Sequence, residues 1–440
     1  MLSRTTQYPT KIWINLSLID AQVQFSSPHS AISCIFVATL PLVMLSEETR
    51  NQHLELLKSF TQIPTAAGRE WRVIRAIRAW AAQRPDVILR DDISGNLHLS
   101  LKSTSSAPDL YESSRRPVYF TAHLDHPAFV IHQIVNADSL LLSFRGGVMA
   151  DYFTNARVRV FSHTDHVQTA TLIKKEKSAP LFDQYLARLD SGTNEFFAVG
   201  DIARWNLPPA EIIDNCLYTD ACDDLAAAAA ALAAFDVLRT RTPREDVRLL
   251  FTRSEEIGFI GAIAACHNNT MPRNSRVIAL ENSRAFPDSP VHGGPVVRVG
   301  DRVSVFSPTL TAACARRAEE LGGAQPTAKD KTTDVKPWKW QRKLMAGGAC
   351  EASVFCTLGY EATCICLPLG NYHNMGDLAA IQNGTAAGPA TIEREFIGID
   401  DFHGLVDLLI ACGERLDDGS GFSDRVSKLW GDLNFVLEES

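Results

Sequence analysis

The pair Glu255-Glu256 follows an apolar run, Val247 to Phe251, and precedes small residues that resemble the start of a helix. This order places the two acids at the end of a predicted strand. Adjacent carboxylates on regular structure repel each other and are costly to desolvate. The arrangement persists most easily where one acid binds a cation and the other handles a proton. The simpler alternative is a solvated pair in a loop, since Glu is mostly exposed in proteins.

A second apolar run, Val118 to Ala122, leads into His123-Leu124-Asp125. Strand alternation points His123 and Asp125 to the same side of the strand. Asp125 can then accept the proton on the far imidazole nitrogen and raise the basicity of His123 as a metal ligand. Polar triplets at strand ends are common, and this one is informative because it follows a predicted buried strand.

Three further fragments bring acids and a histidine to the ends of other predicted elements. These fragments are Thr219 to Asp224 before an alanine-rich stretch, Ser275 to Glu281, and Cys366 to His373. N-capping of a helix explains one Asp in the first fragment more easily than three. Glu281 and His373 mean little singly, because a lone histidine is more often solvated or satisfied than a ligand. Together the fragments indicate an open α/β sheet with a site at its carboxyl edge.

The order of these fragments resembles the family 42 metallopeptidases, which are the deblocking, glutamyl and tetrahedral aminopeptidases among the co-catalytic zinc exopeptidases. His123 to Ile131 is similar to the family's His-x-Asp-Glu-x-Gly-Phe-x-Val, and Phe144 to Val148 to its following Gly-Gly segment. Gly347 to Ala352 resembles its Gly-Gly-Thr-Asp-Ala, and Leu367 to His373 its Ile-Pro-x-Arg-Tyr-x-His. The resemblance extends from about residue 45 to the end of the chain.

This resemblance implies a site for two divalent metal ions. His123 and Glu281 would be the terminal ligands of one ion, and Glu256 and His373 those of the other. Asp223 would bridge the two ions. Nitrogen and carboxylate ligands without thiolates suit zinc, with cobalt or manganese as alternatives.

The resemblance also implies the reaction. Glu255 would be the general base that takes a proton from the attacking water and delivers it to the leaving amine. Asp125 would orient His123, and the Asp223–Asp224 peptide bond would be cis. The predicted activity is a metal-dependent aminopeptidase that removes amino-terminal residues from short peptides. Two alternatives are a metal-dependent deacylase of small acylated molecules and a non-catalytic homologue.

The chain departs from the family pattern at several positions. Gly370-Asn371 occupies the region of the family's Arg, Cys350 and Glu351 stand near its Thr-Asp, and His126 replaces the acid after His-x-Asp. All five predicted metal ligands and the predicted base are present, which argues against an inactive homologue. The preferred amino-terminal residue cannot be read from the sequence, and Arg284 and Arg298 are candidates to bind an acidic side chain.

The predicted fold is α/β, a mixed sheet flanked by helices, with a small β-barrel-like domain inserted. Residues 45–132 and 214–440 would form a discontinuous catalytic domain, and residues 133–213 the insertion, which the resemblance links to dimerisation or larger assembly. The predicted elements are helices at Glu47 to Phe60, Arg69 to Ala82 and after Asp224, strands at Asn96 to Lys102 and Val118 to Ala122, and β-rich runs at Ser139 to Phe144, Ala156 to Ser162 and Glu195 to Val199.

Composition limits the kinds of partner and the cellular location that are expected. The net charge of −8 and the lack of a Lys/Arg stripe with interleaved aromatics disfavour nucleic-acid binding. The ten cysteines form no small-domain framework and no Cys-x-x-Cys pair, which predicts reduced thiols and a cytoplasmic protein. The apolar run from Ala31 to Leu45 is too short for a membrane span. Residues 1–44 are expected to be a disordered tail or a mis-assigned start, with the enzyme beginning near Met44.

Overall fold

Seventeen strands and nine α-helices lie within the residues that the computed structural model describes, which are 45–102, 116–176, 181–241, 245–324, 338–416 and 421–438. The strands are β1 (Val87–Asp91), β2 (Leu97–Leu101), β3 (Val118–His123), β4 (Ala128–Asn136), β5 (Ser139–Arg145), β6 (Arg157–Phe161), β7 (Val167–Lys175), β8 (Gln184–Leu189), β9 (Ile202–Trp205), β10 (Glu211–Ile213), β11 (Cys216–Thr219), β12 (Val247–Thr252), β13 (Arg276–Arg284), β14 (Val296–Gly300), β15 (Gln341–Leu344), β16 (Glu361–Leu369) and β17 (Glu395–Gly398). The helices are α1 (Glu47–Phe60), α2 (Trp71–Ala82), α3 (Leu225–Arg239), α4 (Ile260–His267), α5 (Pro308–Gly322), α6 (Glu351–Thr357), α7 (Leu378–Asn383), α8 (Ile399–Arg415) and α9 (Gly421–Leu433). The predicted tail, residues 1–44, lies outside the described residues.

The main sheet has eight strands in the order β1-β2-β12-β3-β13-β16-β14-β15. Its central strands β12, β3, β13 and β16 run parallel, whereas β2 and β14 pair antiparallel with β12 and β16. All six residues of β3 are buried, as expected for a parallel strand that is covered on both faces. The prediction of a mixed sheet flanked by helices is confirmed.

The register of the parallel strands brings their carboxyl ends together. Thr252, the last residue of β12, pairs with His123, the last residue of β3. On the other side of β3, β13 carries Glu281 opposite Cys366 of β16. The acids that follow β12 and the histidine that ends β3 therefore meet at one edge of the sheet.

The alanine-rich stretch forms α3, which begins directly after Asp224. Every side chain from Leu225 to Phe235 is buried. The small side chains let α3 pack closely against α1, α8 and the central strands. The helix therefore fixes the loop in front of it, residues 220–224, against the rigid centre of the fold.

Six strands, β4 to β9, close into a barrel in the order β4-β5-β8-β7-β6-β9. Its interior holds a cluster of aromatic side chains in mutual contact among aliphatic ones, and the cluster includes Phe129, Phe144, Phe153, Tyr185 and Trp205. The barrel predicted from the sequence is thus present. Its strands span Ala128 to Trp205, and β4 starts only three residues after Asp125, so the barrel adjoins the edge of the main sheet where β3 ends.

One predicted β-rich run is wrong. Glu195 to Val199 includes a 3₁₀ turn, Asn194–Phe196, and no strand. The backbone N–H of Phe197 bonds to the carbonyl of Asn194, and the N–H of Asn194 bonds to Ala137. These local bonds satisfy the backbone in place of a strand ladder.

None of the helices in the described ranges is both long and apolar enough to cross a bilayer.

Candidate metal centre and active site

His123 projects from the end of β3 into the edge of the sheet and is buried. Its backbone N–H donates to Oδ2 of Asp224 at 3.2 Å. Its ring atom Nδ1 lies 3.1 Å from the backbone oxygen of Asp125 and 3.6 Å from the carboxylate Oδ1 of the same residue. These contacts fix the ring so that Nε2 faces the acids of the neighbouring strands.

Asp125 acts mainly on the Glu255-Glu256 segment. Its Oδ1 accepts the backbone N–H of Glu255 at 2.9 Å, and its Oδ2 accepts that of Glu256 at 3.1 Å. Strand alternation predicted the contact with His123 but not these two longer-range bonds. One buried carboxylate thus holds the turn after β12 beside the end of β3.

Asp223 lies between the two histidines. Its Oδ1 is 3.1 Å from Nε2 of His123, and its Oδ2 is 3.4 Å from Nε2 of His373. The peptide bond between Asp223 and Asp224 is cis. Each oxygen of one carboxylate therefore faces a different imidazole.

Glu281 and Glu256 complete the two sides of this arrangement. Oε1 of Glu281 lies 3.9 Å from Nε2 of His123, and Oε1 of Glu256 lies 3.4 Å from Nε2 of His373. Three overlapping groups of potential ligand atoms each fall within 4.8 Å, namely His123 with Glu255 and Glu256, His123 with Asp223 and Glu281, and Asp223 with Glu256 and His373. The structure brings together every residue that the sequence analysis assigned to metal.

Burial dominates the electrostatics of the site. Removal from water raises the pKa of Glu255 and Glu256 well above the usual value, and nearby carboxylates add to this effect. Burial alone would lower the pKa of His123, but Glu255, Asp125 and Asp223 outweigh it and raise that pKa. So many acids in one dry space repel each other unless positive charge lies among them.

His373 sits on a loop whose backbone is unusual. Asn371, His373, Asn374 and Asp377 all have positive φ, between 47° and 63°, a region that costs energy for most residues. The loop is held from two directions. Nδ1 of His373 lies 2.6 Å from the carbonyl oxygen of Gly147, which follows β5 of the barrel, and its backbone N–H donates to Oε1 of Glu395 at 2.7 Å.

Glu395 is a site residue that the sequence analysis missed. Its Oε2 accepts the backbone N–H groups of Cys222 and Asp223 at 2.6 and 3.0 Å. It therefore ties the Asp223 loop to the His373 loop. Nothing in the sequence around β17 marks this acid, except that it is a charged residue at the start of a strand that is otherwise apolar.

Two further buried acids support the site. Glu70 accepts the N–H of Ser254 at 3.1 Å and pairs with Arg253, and thereby braces the turn that leads to Glu255. Glu351 is buried at the start of α6, and burial raises its pKa to about 7. Its Oε1 has no hydrogen-bond partner among the described residues. The sequence marked Glu351 only as a departure from the family motif.

The fold is shared with known aminopeptidases. Aminopeptidase APDkam598 from Desulfurococcus kamchatkensis matches with a TM-score of 0.65 and 20% identity, over 84% of this chain and 98% of that chain. The TET1 peptidase of Pyrococcus horikoshii matches with a TM-score of 0.63 and 20% identity, over 82% and 99%. An M18-family aminopeptidase from Thermotoga maritima matches with a TM-score of 0.56 and 14% identity, over 85% and 98%.

The sequence defines the family more narrowly than the fold does. Residues 109–383 match the M42 glutamyl aminopeptidases, and the chain belongs to that family of peptide hydrolases. The family resemblance inferred from the motifs is confirmed. A comparison with curated proteins gave no match.

Proposed function

We propose that the protein is an aminopeptidase that binds two divalent metal ions, most simply zinc. His123 and Glu281 would hold one ion, Glu256 and His373 the other, and Asp223 both. The observation that carries this proposal is the position of Asp223, whose two carboxylate oxygens each face one of the two buried histidines. Imidazole and carboxylate donors without a thiolate fit zinc, and also cobalt or manganese.

The buried groups fit such ions. Oε1 of Glu256 is buried and has no hydrogen-bond partner among the described residues, and an unpaired buried carboxylate oxygen is costly. The pKa of Glu281 is raised by burial in the same way. Cations between these acids would supply both the missing partner and the missing positive charge.

Glu255 is the group best placed to move protons. Its Oε2 lies 3.9 Å from Nε2 of His123 at the edge of the site, and its backbone is fixed by Asp125. Bound ions would polarise the scissile carbonyl and acidify a water. Glu255 would take the proton of that water at a carboxylate oxygen and deliver it to the leaving amine. Burial raises the pKa of Glu255, which stabilises the protonated form that it would have after taking that proton.

A cavity of about 320 Å³ adjoins Glu281 and suits the first side chain of a substrate. Arg298, at its wall, is 3% exposed. Its Nη1 donates to Oγ of Ser283 at 3.1 Å, its Nε is buried without a partner, and it forms no ion pair with a carboxylate among the described residues. Glu281 attracts this guanidinium without forming an ion pair with it, so a carboxylate bound in the cavity would gain a direct charged partner. We therefore propose an acidic first residue as the preferred substrate.

Substrate panels test the reaction. Unblocked and amino-terminally acetylated glutamyl, leucyl and lysyl amides are offered to metal-stripped protein before and after zinc, cobalt or manganese is restored. Release from unblocked substrates only, and only with metal, supports the aminopeptidase. Cleavage of the acetylated set indicates a deacylase, and no turnover with two bound ions indicates a non-catalytic homologue.

The same panel tests the acidic preference. Arg298→Met is expected to lower kcat/KM for the glutamyl substrate about tenfold or more, with little change for the leucyl substrate. An equal loss on both substrates would assign Arg298 to the support of Glu281 instead.

Assembly is the last part of the proposal. The TET1 peptidase of Pyrococcus horikoshii can assemble into a tetrahedron or a large octahedral shell. We propose that this chain also forms at least a dimer through the inserted domain, residues 133–213. A monomer in light scattering at micromolar concentration would contradict this.

A cytoplasmic location is proposed from the cysteines, because all nine that are described are free thiols.

A further inference from the structure

His126 and Asn374 are two buried polar residues beside the proposed metal ligands, and the reaction proposed above assigns them no role. They are 4% and 1% exposed. His126 stands where the family pattern has an acid, and Asn374 follows the ligand His373. Neither belongs to a group of potential metal ligands, so their position calls for another explanation.

The two side chains contact each other and the loops on either side. Nδ1 of His126 lies 2.5 Å from the backbone oxygen of Asp223, and Nε2 lies 3.0 Å from Oδ1 of Asn374. Nδ2 of Asn374 donates to the backbone oxygen of Asp220 at 2.9 Å. The pair thus binds the Asp220–Asp223 loop at both ends, and Asn374 is adjacent to His373 in the chain.

The far end of this network is anchored in the barrel. Asp220 is buried, and its two carboxylate oxygens pair with Nη2 of Arg159 on β6 at 2.9 Å and with Nη2 of Arg204 on β9 at 2.8 Å. The position of Asp220 is therefore set by the rigid wall of the barrel. Through its bond to the backbone oxygen of Asp220, Asn374 links the His373 loop to this fixed position.

We propose that His126 and Asn374 form a hydrogen-bonded pair that sets the distance between Asp223 and His373, and so controls how tightly the ion shared by those two ligands is held. The inference rests on the proposed two-metal site. Both are positioning residues, since they contact the backbone or the chain neighbours of ligands. Partners of this kind commonly change metal affinity by about 10–100-fold.

The variants are chosen to isolate the side-chain contacts. Asn374 has a φ of 63°, so Asn374→Gly removes the amide without straining the backbone. His126→Ala removes the imidazole, and His126→Gln keeps an N–H donor for the oxygens that His126 contacts. His132→Ala is the matched control, because His132 lies nearby on β4 and is exposed.

Zinc affinity and stoichiometry are measured by competition with a chromophoric chelator, with melting temperature measured alongside. His126→Ala and Asn374→Gly are each expected to weaken one of the two zinc ions about 10–100-fold and to leave the other within about threefold. The double variant should lose little more zinc affinity than the more affected single variant, because the two residues act as a unit. His126→Gln should recover part of the loss.

The outcomes separate this inference from the proposed function. If the unmodified protein binds fewer than two zinc ions, the two-metal proposal itself fails. If it binds two, and both variants hold both ions with unchanged affinity while only the melting temperature falls, the pair is structural and the inference is overturned. Equal weakening of both ions would also overturn it.

Discussion

His123 and His373 reach the same carboxylate from two differently built parts of the molecule. His123 ends a buried central strand, and its surroundings are set by the register of β3 and β12. His373 lies on a loop with positive φ at four residues and depends on Glu395 and on the carbonyl of Gly147. One side of the site is carried by the sheet, and the other is held by side-chain contacts from distant segments.

This difference indicates which side of the site is more sensitive to substitution. Groups on a central strand keep their position because many backbone hydrogen bonds fix that strand, so a single substitution shifts them little. Loop-borne groups in strained conformations persist only while the surrounding contacts determine them. The His373 side should therefore be the side that substitutions outside the ligand set affect most.

The largest effect is expected where the two sides meet. Asp223→Asn replaces one of the two facing oxygens with an NH₂ group, which cannot bind a metal ion. Both ions should therefore be lost, and turnover should fall to background. Metal content by mass spectrometry of the purified variant, with the peptide assay, checks this. A variant that keeps one ion and measurable turnover would contradict the proposal that both ions depend on Asp223.

The next effect separates chemistry from metal binding. Glu255→Gln keeps the shape of the residue and its backbone bond to Asp125 but removes the base. We expect turnover to fall about 10²–10⁴-fold while two ions remain bound. Single-turnover kinetics with metal analysis is the measurement, and near-full activity would remove Glu255 from the role of base.

A matched pair of variants probes the two sides directly. Glu395 accepts three backbone N–H groups, one from His373 and two from the Asp223 loop, and Glu395→Gln weakens this link between the loops. Asp224→Asn weakens a single bond on the strand side, from the backbone N–H of His123. We expect zinc affinity to fall about 10–100-fold in the first and less than about threefold in the second. Equal losses, measured by chelator competition, would mean that the strand holds His123 no better than the loop holds His373.

The last prediction concerns the strand scaffold, outside the metal site. Burial lowers the pKa of His98, on β2 beside β12, to about 4 from a usual 6.5. The folded state then binds fewer protons than the unfolded state between these values. The free energy of unfolding is therefore highest above about pH 6.5 and falls by about 2–3 kcal/mol as the pH drops towards 4.

His98→Gln serves as the control for this pH effect, because groups outside the site titrate equally in both proteins. The difference in unfolding free energy between the two proteins, from urea titrations at pH 7.5 and pH 4.5, should shrink at the lower pH. A constant difference would show that His98 takes no part in the loss.

The same contrast explains what the sequence could predict. His123, Glu255, Glu256 and Glu281 follow apolar runs, and parallel strands bring such ends together whatever the loops do. The barrel was visible as short β-rich runs, although Glu195 to Val199 was misread because local bonds of the 3₁₀ turn replace the ladder there.

The sequence could not reveal the contacts that hold the loop side. Glu395, Glu70 and Asn374 act through hydrogen bonds across long stretches of chain, and a buried acid or amide has no local signature. Asp125 was assigned to the imidazole because alternation is a local rule. Its two bonds to the Glu255-Glu256 backbone depend on the neighbouring strand, which alternation does not describe.

In the proposed site, one carboxylate, Asp223, joins two metal ions held from opposite sides. Anomalous X-ray diffraction from zinc-loaded crystals, recorded on both sides of the zinc absorption edge, tests it most directly. We predict two zinc peaks flanking Asp223, one beside His123 and Glu281 and the other beside His373 and Glu256. A single peak, or a second ion without contact to Asp223, would contradict the account.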